Sequence, residues 1–413
     1  MKTIHNILVI TPIYPASDLP KEFTPVVHYF TRQWFKEGFN VVVLHYPYNF
    51  PKLILNLSKP FLGRIKQHYG MAVVRTTYLK ETEYELEGIR VKRIPLKKIK
   101  PHGRYSRKEI QFGYERTIKY LDSIDFVPDV ITSHWANPTF DLIPLFKEKF
   151  KVPVCYVDHL AGRDIINTYK GDANKLISNI DLIGYRSRYI KNTFEQLYGS
   201  KKPSFFCYSG IPEEFLPEET HKRTFDKVKS FIYVGTLIKR KYPAEVIPAL
   251  CKAFEGEDYT MRYIGRGNEE SEIRNQITKY QVEKEVEICG YMLREEVVKH
   301  LDQSDVFVMM SRNETFGLVY LEAMARGCIT IASWREGFDG IIEDGVNGFL
   351  CEAGNSNDLA RVIKKIKQLT VAELSMISEN AMKTARKLTD KNVAIQYLNS
   401  LQEIVNKNDT EYA

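Results

Sequence analysis

Two glutamates eight positions apart, Glu314 and Glu322, stand in the stretch SRNETFGLVYLEAMARG (311–327). Glu314 comes just before a Phe-Gly turn, and Glu322 lies inside an apolar helical run. The segment leaves a strand and enters a helix near Gly317. There the amides of Phe316, Gly317 and Leu318 would have no helical acceptor, and the helix dipole would favour an anion beside them. Glu314 could orient a hydroxyl-rich group next to that anion, and Glu322, one turn in, could accept two hydroxyls of a ribose. An anion, a ribose and a second polyol together describe a sugar nucleotide. Each carboxylate also has a plainer explanation. Arg326 is four residues beyond Glu322 and offers an ordinary surface ion pair. Glu314 sits near a helix N-terminus, where negative charge is favourable whatever its use.

Two further loops carry suitable groups. VGTLIKRK (234–241) follows a strand, begins with Gly235 and ends in Lys239, Arg240 and Lys241. A glycine lets the backbone approach a phosphate, and cations at the end of the loop neutralise it. The alternative is a turn into a solvated basic helix start. The next strand ends in IGRGNEES (264–271), where Glu270 replaces the last glycine of a dinucleotide fingerprint, so NAD binding is not supported.

The elements that must hold these loops are legible as short apolar runs alternating with helical patterns. In the first half the strand candidates are 7–11, 40–46, 129–135, 152–159, 181–187 and 204–210. In the second they are 230–236, 259–265, 285–291, 305–311 and 328–333. Near-continuous apolar runs of this kind suit parallel strands covered on both faces. The alternation predicts an α/β protein with two doubly wound, Rossmann-like parallel sheets. The polar segment 211–227 reads as the linker, Asn355 and Ser356 as helix caps, and only helices follow them. In such sheets ligands sit beyond the carboxyl ends of strands, and two facing domains create a cleft between them.

Composition narrows the class. With 413 residues, 44% hydrophobic and 27% charged, the chain reads as a globular protein of two to three domains. No apolar run approaches the roughly 18 residues of a membrane span. Cys155, Cys207, Cys251, Cys289, Cys328 and Cys351 lack CxxC spacing, which predicts reduced thiols in the cytosol. The net charge of +7 is concentrated: eleven Lys or Arg against two Glu between Ile89 and Tyr120 give +9 there. Such a patch implies an anionic partner or simply a solvated charged face. With no groove-reading or stacking motif beside it, nucleic acid is the least supported partner.

The order of these motifs resembles the GT4-type retaining glycosyltransferases, marked by a glutamate, seven residues and a second glutamate. VGTLIKRK is similar to that family's phosphate loop, and IGRGNE to its G-x-G strand end. ICGYM (288–292) and EDGVNGFL (343–350) match the elements that follow. In the first half, VPVCYVDHLAGRDI (152–165) and DLIGYRS (181–187) look like the family's histidine-bearing and serine-ending strands. The resemblance implies a GT-B fold, two Rossmann-like domains facing across a cleft. The acceptor-side domain would span 1–215 and the nucleotide-sugar domain 225–389, with a crossover helix over 390–413.

Carried over by position, Glu314, His159, Arg240 and Lys241 would form the catalytic set. The donor would be held by Gly235, Arg240, Lys241, Gly265, Tyr291, Met292, Glu314, Phe316, Gly317, Leu318 and Glu322. Glu322 would bind the ribose, Glu314 would face the sugar, the two cations would clamp the diphosphate, and Tyr291 and Met292 would lie near the base. For His159 a satisfied structural role is the ordinary alternative. The resemblance implies no cofactor and no metal beyond a UDP- or GDP-linked donor, in keeping with the absence of a D-x-D pair. It also implies a glycan or lipid-linked glycan acceptor in surface polysaccharide synthesis. A cytoplasmic place follows, with the basic patch and FLGRIKQHYG (61–70) offering a contact with an anionic membrane face.

The sequence departs from the pattern at three places. Thr236 replaces an arginine of the phosphate loop. The first loop, ASDLPKEFTPVVHY, has no glycine, which turns Thr24 to His28 toward acceptor. REGFDG (335–340) replaces G-G-x-P-E, losing its glutamate. A nucleotide-sugar epimerase on the same fold and a non-catalytic sugar-nucleotide or glycan-binding module are the competing readings.

Overall fold

The computed structural model describes residues 3–19, 25–51, 78–100, 103–218 and 223–411. They form two compact units: Met1–Arg186 with Ile190–Cys207 and Ala394–Ala413, and Ser187–Tyr189 with Tyr208–Val393.

In the first unit the strands of the main sheet are β1 (Asn6–Thr11), β2 (Asn40–His45), β4 (Thr82–Leu86), β5 (Ile89–Arg93), β7 (Val130–His134), β8 (Val154–Asp158), β9 (Leu182–Tyr185) and β10 (Ser204–Phe206), and β3 (Tyr48–Asn49) pairs separately with β6 (Leu96–Lys97). The spatial order is β10-β9-β8-β7-β1-β2-β5-β4, and every neighbouring pair is parallel except β4 with β5. Apolar runs explain the centre: Ile7, Leu8, Val9 and Ile10 are fully buried, as are Val42, Val43 and Leu44. The last helix, Asp390–Glu411, contributes to this core from Ala394 onward. The Trp34 indole donates to the Ala394 carbonyl at 3.0 Å, Tyr397 packs against Phe30 and Trp34, and its hydroxyl bonds Thr132.

One pairing was not expected. The charged stretch after residue 81 forms the β4–β5 hairpin, turning through Glu87 and Gly88, both at positive φ. Glu83 stands opposite Lys92 and Glu85 opposite Arg90, so the acidic strand neutralises part of the basic run. Lys92 lies 2.7 Å from Glu81 and 2.9 Å from Glu83. Arg93 pairs with Asp18, Arg104 with Asp141 and Asp172, and Arg116 with Glu81. Among the described residues four of the eleven cations of the patch, Lys92, Arg93, Arg104 and Arg116, are therefore held in ion pairs. The stretch 61–70 lies outside the described residues, and no described helix is long and apolar enough to cross a membrane.

The second unit is built on β11 (Ser230–Val234), β12 (Thr260–Ile264), β13 (Val286–Gly290), β14 (Val306–Val308), β15 (Ile329–Ser333) and β16 (Phe349–Cys351), all parallel, in the order β13-β12-β11-β14-β15-β16. The chain starts in the middle, builds outward to one side and returns to build the other. The switch point of this doubly wound sheet therefore lies between β11 and β14. The segment after Cys207 packs within this unit: the Ile211 amide donates to Leu388 at 3.1 Å, and Glu213–Phe215 makes a short 3-10 turn. Asn355 caps the helix Ser356–Lys367 with its side chain, and Thr370 with Glu373 forms a capping box on Val371–Lys387. All six cysteines are free thiols.

Candidate active site at the strand ends

The loops that leave β11 and β14 meet where the sheet order reverses. After β11 the chain turns at Gly235 and enters the short 3-10 segment Lys239–Lys241. After β14 it runs through Ser311 to Gly317 and enters the helix Leu318–Ala325. The two loops are tied by the Arg312 amide, which donates to the Arg240 carbonyl at 2.7 Å. On this frame Arg240 Nη1 and Lys241 Nζ both approach Glu314 Oε2, at 3.4 and 3.7 Å. Arg240 is well exposed, whereas Lys241 and Glu314 keep only 14% and 12% of their side-chain surface. Burial pulls the Lys241 ammonium below its usual range, a shift that Glu314 opposes and Arg240 reinforces. Gly235 leaves open the space beside Lys241 Nζ, which lies 3.4 Å from where a β-carbon would be.

The neighbouring strand ends explain the other glycines of the motif. The Gly235 amide donates to Ile264 and the Gly265 amide to Gly290, which locks three strand ends side by side. A β-carbon on Gly265 would lie 1.9 Å from the Gly235 carbonyl oxygen, so the close approach of these loops requires glycine there. Gly317 has φ +88° and caps the helix Leu318–Ala325, and a β-carbon on it would strike the Tyr320 ring. Leu318 and Val319, in the first turn, have amides without helical acceptors, as at any helix start. Phe316 is buried, its ring against Phe338 and Tyr208. Thr236, in the place of the missing arginine, accepts from Tyr233 and Ile238 through its carbonyl.

Two features of this loop were not read from the sequence. REGFDG does contribute a carboxylate: Glu336 Oε2 accepts the backbone amide of Glu314 at 3.0 Å. Gly340 still stands where the motif has its glutamate, and Glu336, four residues earlier, fixes the backbone that carries Glu314. Asn313 and Arg335, which flank this contact, both hold φ of +55°. Asparagine tolerates that conformation, but an arginine there is strained, a cost that clusters at functional loops.

Glu322 is not partnered by Arg326. Only 9% of it is exposed, and it faces Arg294, whose Nε donates to Oε1 at 3.0 Å while Nη2 lies 2.7 Å from the same oxygen. Arg326 turns the other way, onto both oxygens of Asp302 at 2.6 and 2.8 Å. The ordinary i,i+4 surface pair is therefore ruled out for this glutamate. Tyr291 is 64% exposed on the loop after β13, next to half-buried Met292.

His159 belongs to the first unit. It follows β8 and stacks on Trp135 with ring centroids 4.0 Å apart and 14° between planes. Its Nε2 is 3.1 Å from Nδ1 of His134, at the end of β7. Both rings are buried. Burial holds His159 well below the usual imidazole range and His134 at about 3, with Arg186 adding to both shifts. His134, Trp135 and Arg186 were not singled out from the sequence, although HW ends a strand run next to the one ending in His159. In the first loop, His28 is buried and its two ring nitrogens lie 3.0 Å from the Tyr14 hydroxyl and 3.2 Å from Glu87. Thr24 lies outside the described residues.

Residues 217–384, most of the second unit, match the family described as glycosyl transferases group 1. An uncharacterized glycosyltransferase of Methanocaldococcus jannaschii is 27% identical over 328 residues, 76% of this chain and 87% of that one. The amylovoran biosynthesis glycosyltransferase AmsK of Erwinia amylovora is 28% identical over 230 residues, and the alignment spans 53% of this chain and only 55% of that relative. Among solved structures, HepE of Anabaena in complex with UDP superposes with a TM-score of 0.66 at 16% identity, covering 96% of this chain and all of that one. The fold is GT-B, with two Rossmann-like domains, and the chain is a glycosyltransferase.

Proposed function

We propose that the chain moves a sugar from a UDP- or GDP-linked donor to a glycan or lipid-linked glycan, with retention of anomeric configuration, in surface polysaccharide synthesis. The observation that carries the donor half is the convergence of Arg240, Lys241 and Glu314 at the switch point between β11 and β14. A diphosphate placed there meets two cations and the first-turn amides of the helix Leu318–Ala325, while Glu322 lies one turn further on for a ribose. That a similar fold binds UDP supports the donor class, and the name of the amylovoran relative supports the polymer.

The chemistry follows from where charge develops. The bond between the anomeric carbon and the phosphate oxygen breaks, and its electron pair leaves with the nucleoside diphosphate. Arg240, Lys241 and the helix amides stabilise that charge in place of a metal. The acceptor oxygen bonds the anomeric carbon on the face just vacated and passes its proton to the departing phosphate. His159, as a neutral imidazole, would hydrogen-bond a sugar hydroxyl. The basic run after residue 89 keeps Lys97, Lys100, Arg107, Lys108 and Lys119 outside any ion pair among the described residues, enough for a contact with an anionic inner membrane face.

The test is to offer UDP- and GDP-sugars with short glycan acceptors, and to read nucleotide release together with the anomeric configuration of the product. Acceptor-dependent release with the donor's configuration is expected. Inverted product would overturn the mechanism, and no release from any donor would overturn the transferase reading of this site.

A further inference from the structure

We infer that Arg294 is a positioning residue for the nucleoside: it fixes the Glu322 carboxylate with one oxygen occupied and the other presented to the ribose. The inference rests on the donor site proposed above and concerns a residue that no motif in the chain marks.

Both contacts from Arg294 converge on Oε1 of Glu322, and no described residue donates to Oε2. The carboxylate is thus half satisfied. Glu322 is nine-tenths buried, and a carboxylate withdrawn from water is costly unless it is paired and hydrogen-bonded. A ligand that donates to Oε2 completes the set, and a vicinal diol supplies two such donors.

The guanidinium cannot swing away easily. Its centre lies 4.1 Å from the centroid of the buried Phe215 ring, a cation–π contact that holds it in place. Phe215 is held in turn: its carbonyl accepts from Arg326 Nη1 at 3.3 Å, and Arg326 is clamped bidentately by Asp302. Asp302, Arg326, Phe215, Arg294 and Glu322 therefore form one relay across three chain segments, all within the second unit. It explains why Arg326 declines the local pair with Glu322. Arg294 also opens the helix that follows Tyr291 and Met292, so the same residue ties the loop expected near the base to the carboxylate expected at the ribose.

The diagnostic is discrimination between ribose and deoxyribose. Titrations would use UDP, GDP and their 2′-deoxy counterparts with wild type, Arg294→Met, Arg294→Lys, Phe215→Leu and Glu322→Ala, each checked for a cooperative melt. Wild type should prefer the ribonucleotide by about tenfold, the scale of one hydrogen bond to a charged group. Arg294→Met should weaken ribonucleotide binding about tenfold and bring the preference close to one. Arg294→Lys keeps the charge without the forked guanidinium and should fall between. If Arg294→Met does not fold, Arg294→Lys and Phe215→Leu carry the test through the same ratio. Equal weakening of both nucleotides in the Arg294 and Phe215 variants, with the preference intact, would show a merely structural role and overturn the inference. Binding by Glu322→Ala as tight as wild type, or no binding of any nucleotide to wild type, would overturn the donor site itself.

Discussion

The two sheets present opposite kinds of chemistry at their carboxyl ends. Beyond β11, β13 and β14 the groups are charged, mutually opposed and partly open: Arg240 and Lys241 around Glu314, and Arg294 against Glu322. Beyond β7 and β8 they are buried and aromatic: Trp135 stacked on His159, and His159 bonded to His134, with both imidazoles held neutral. A cluster of the first kind suits an anion whose charge changes during a reaction, because its cations are already in place and need no rearrangement. A cluster of the second kind suits a neutral polyol, for which a fixed imidazole supplies direction rather than charge.

The sharpest way to break this contrast is to remove charge from each side and compare. Lys241→Met and Glu314→Gln should each lower acceptor-dependent nucleotide release by about 10²–10³, the scale of a lost charge-stabilising group. His159→Ala should cost about tenfold, as for a lost hydrogen bond. Equal losses in single-turnover assays would erase the distinction between the two clusters.

The histidine pair makes a separate prediction through stability. Each imidazole titrates lower in the folded chain than its ordinary 6.5, so below that pH the unfolded chain binds more protons and folding weakens. Stability should therefore fall as pH drops from 6.5 toward about 3, the folded value for His134, by about 1 kcal/mol per pH unit for each histidine that titrates. Urea midpoints at pH 7.5 and 5.5 measure this, and His134→Phe should flatten the difference. The smallest effect expected is that of a chelator. With Arg240 and Lys241 taking the leaving charge, EDTA should leave nucleotide release unchanged within about twofold, and a large loss would move that role to a metal.

The strands were legible because central parallel strands are continuous apolar runs. ILVIT, NVVVLH and SFIYV needed no partner to be recognised. The β4–β5 hairpin was not, although TEYEL and IRVKR alternate around a Glu-Gly turn. Counting charge from Ile89 alone hid the acidic strand that faces it, and with it the neutralisation of Lys92. Glu314, Arg240 and Lys241 were readable from motifs because each sits where a strand ends. The partner of Glu322 was not. Arg294 is 28 residues away, brought in by the β13 loop, whereas local spacing pointed to Arg326. Glu336 was overlooked for a related reason: its contact is with the backbone amide of Glu314, 22 residues away, which no motif marks.

The proposed place of the nucleoside diphosphate is at the ends of β11 and β14. Calorimetric titration of UDP and GDP into wild type and Lys241→Met tests it most directly. Saturable binding of at least one nucleotide by wild type is expected, weakened about tenfold or more when the ammonium facing Glu314 is removed. Equal affinity in the two proteins would place the diphosphate elsewhere and leave the Lys241–Glu314 contact as structure alone.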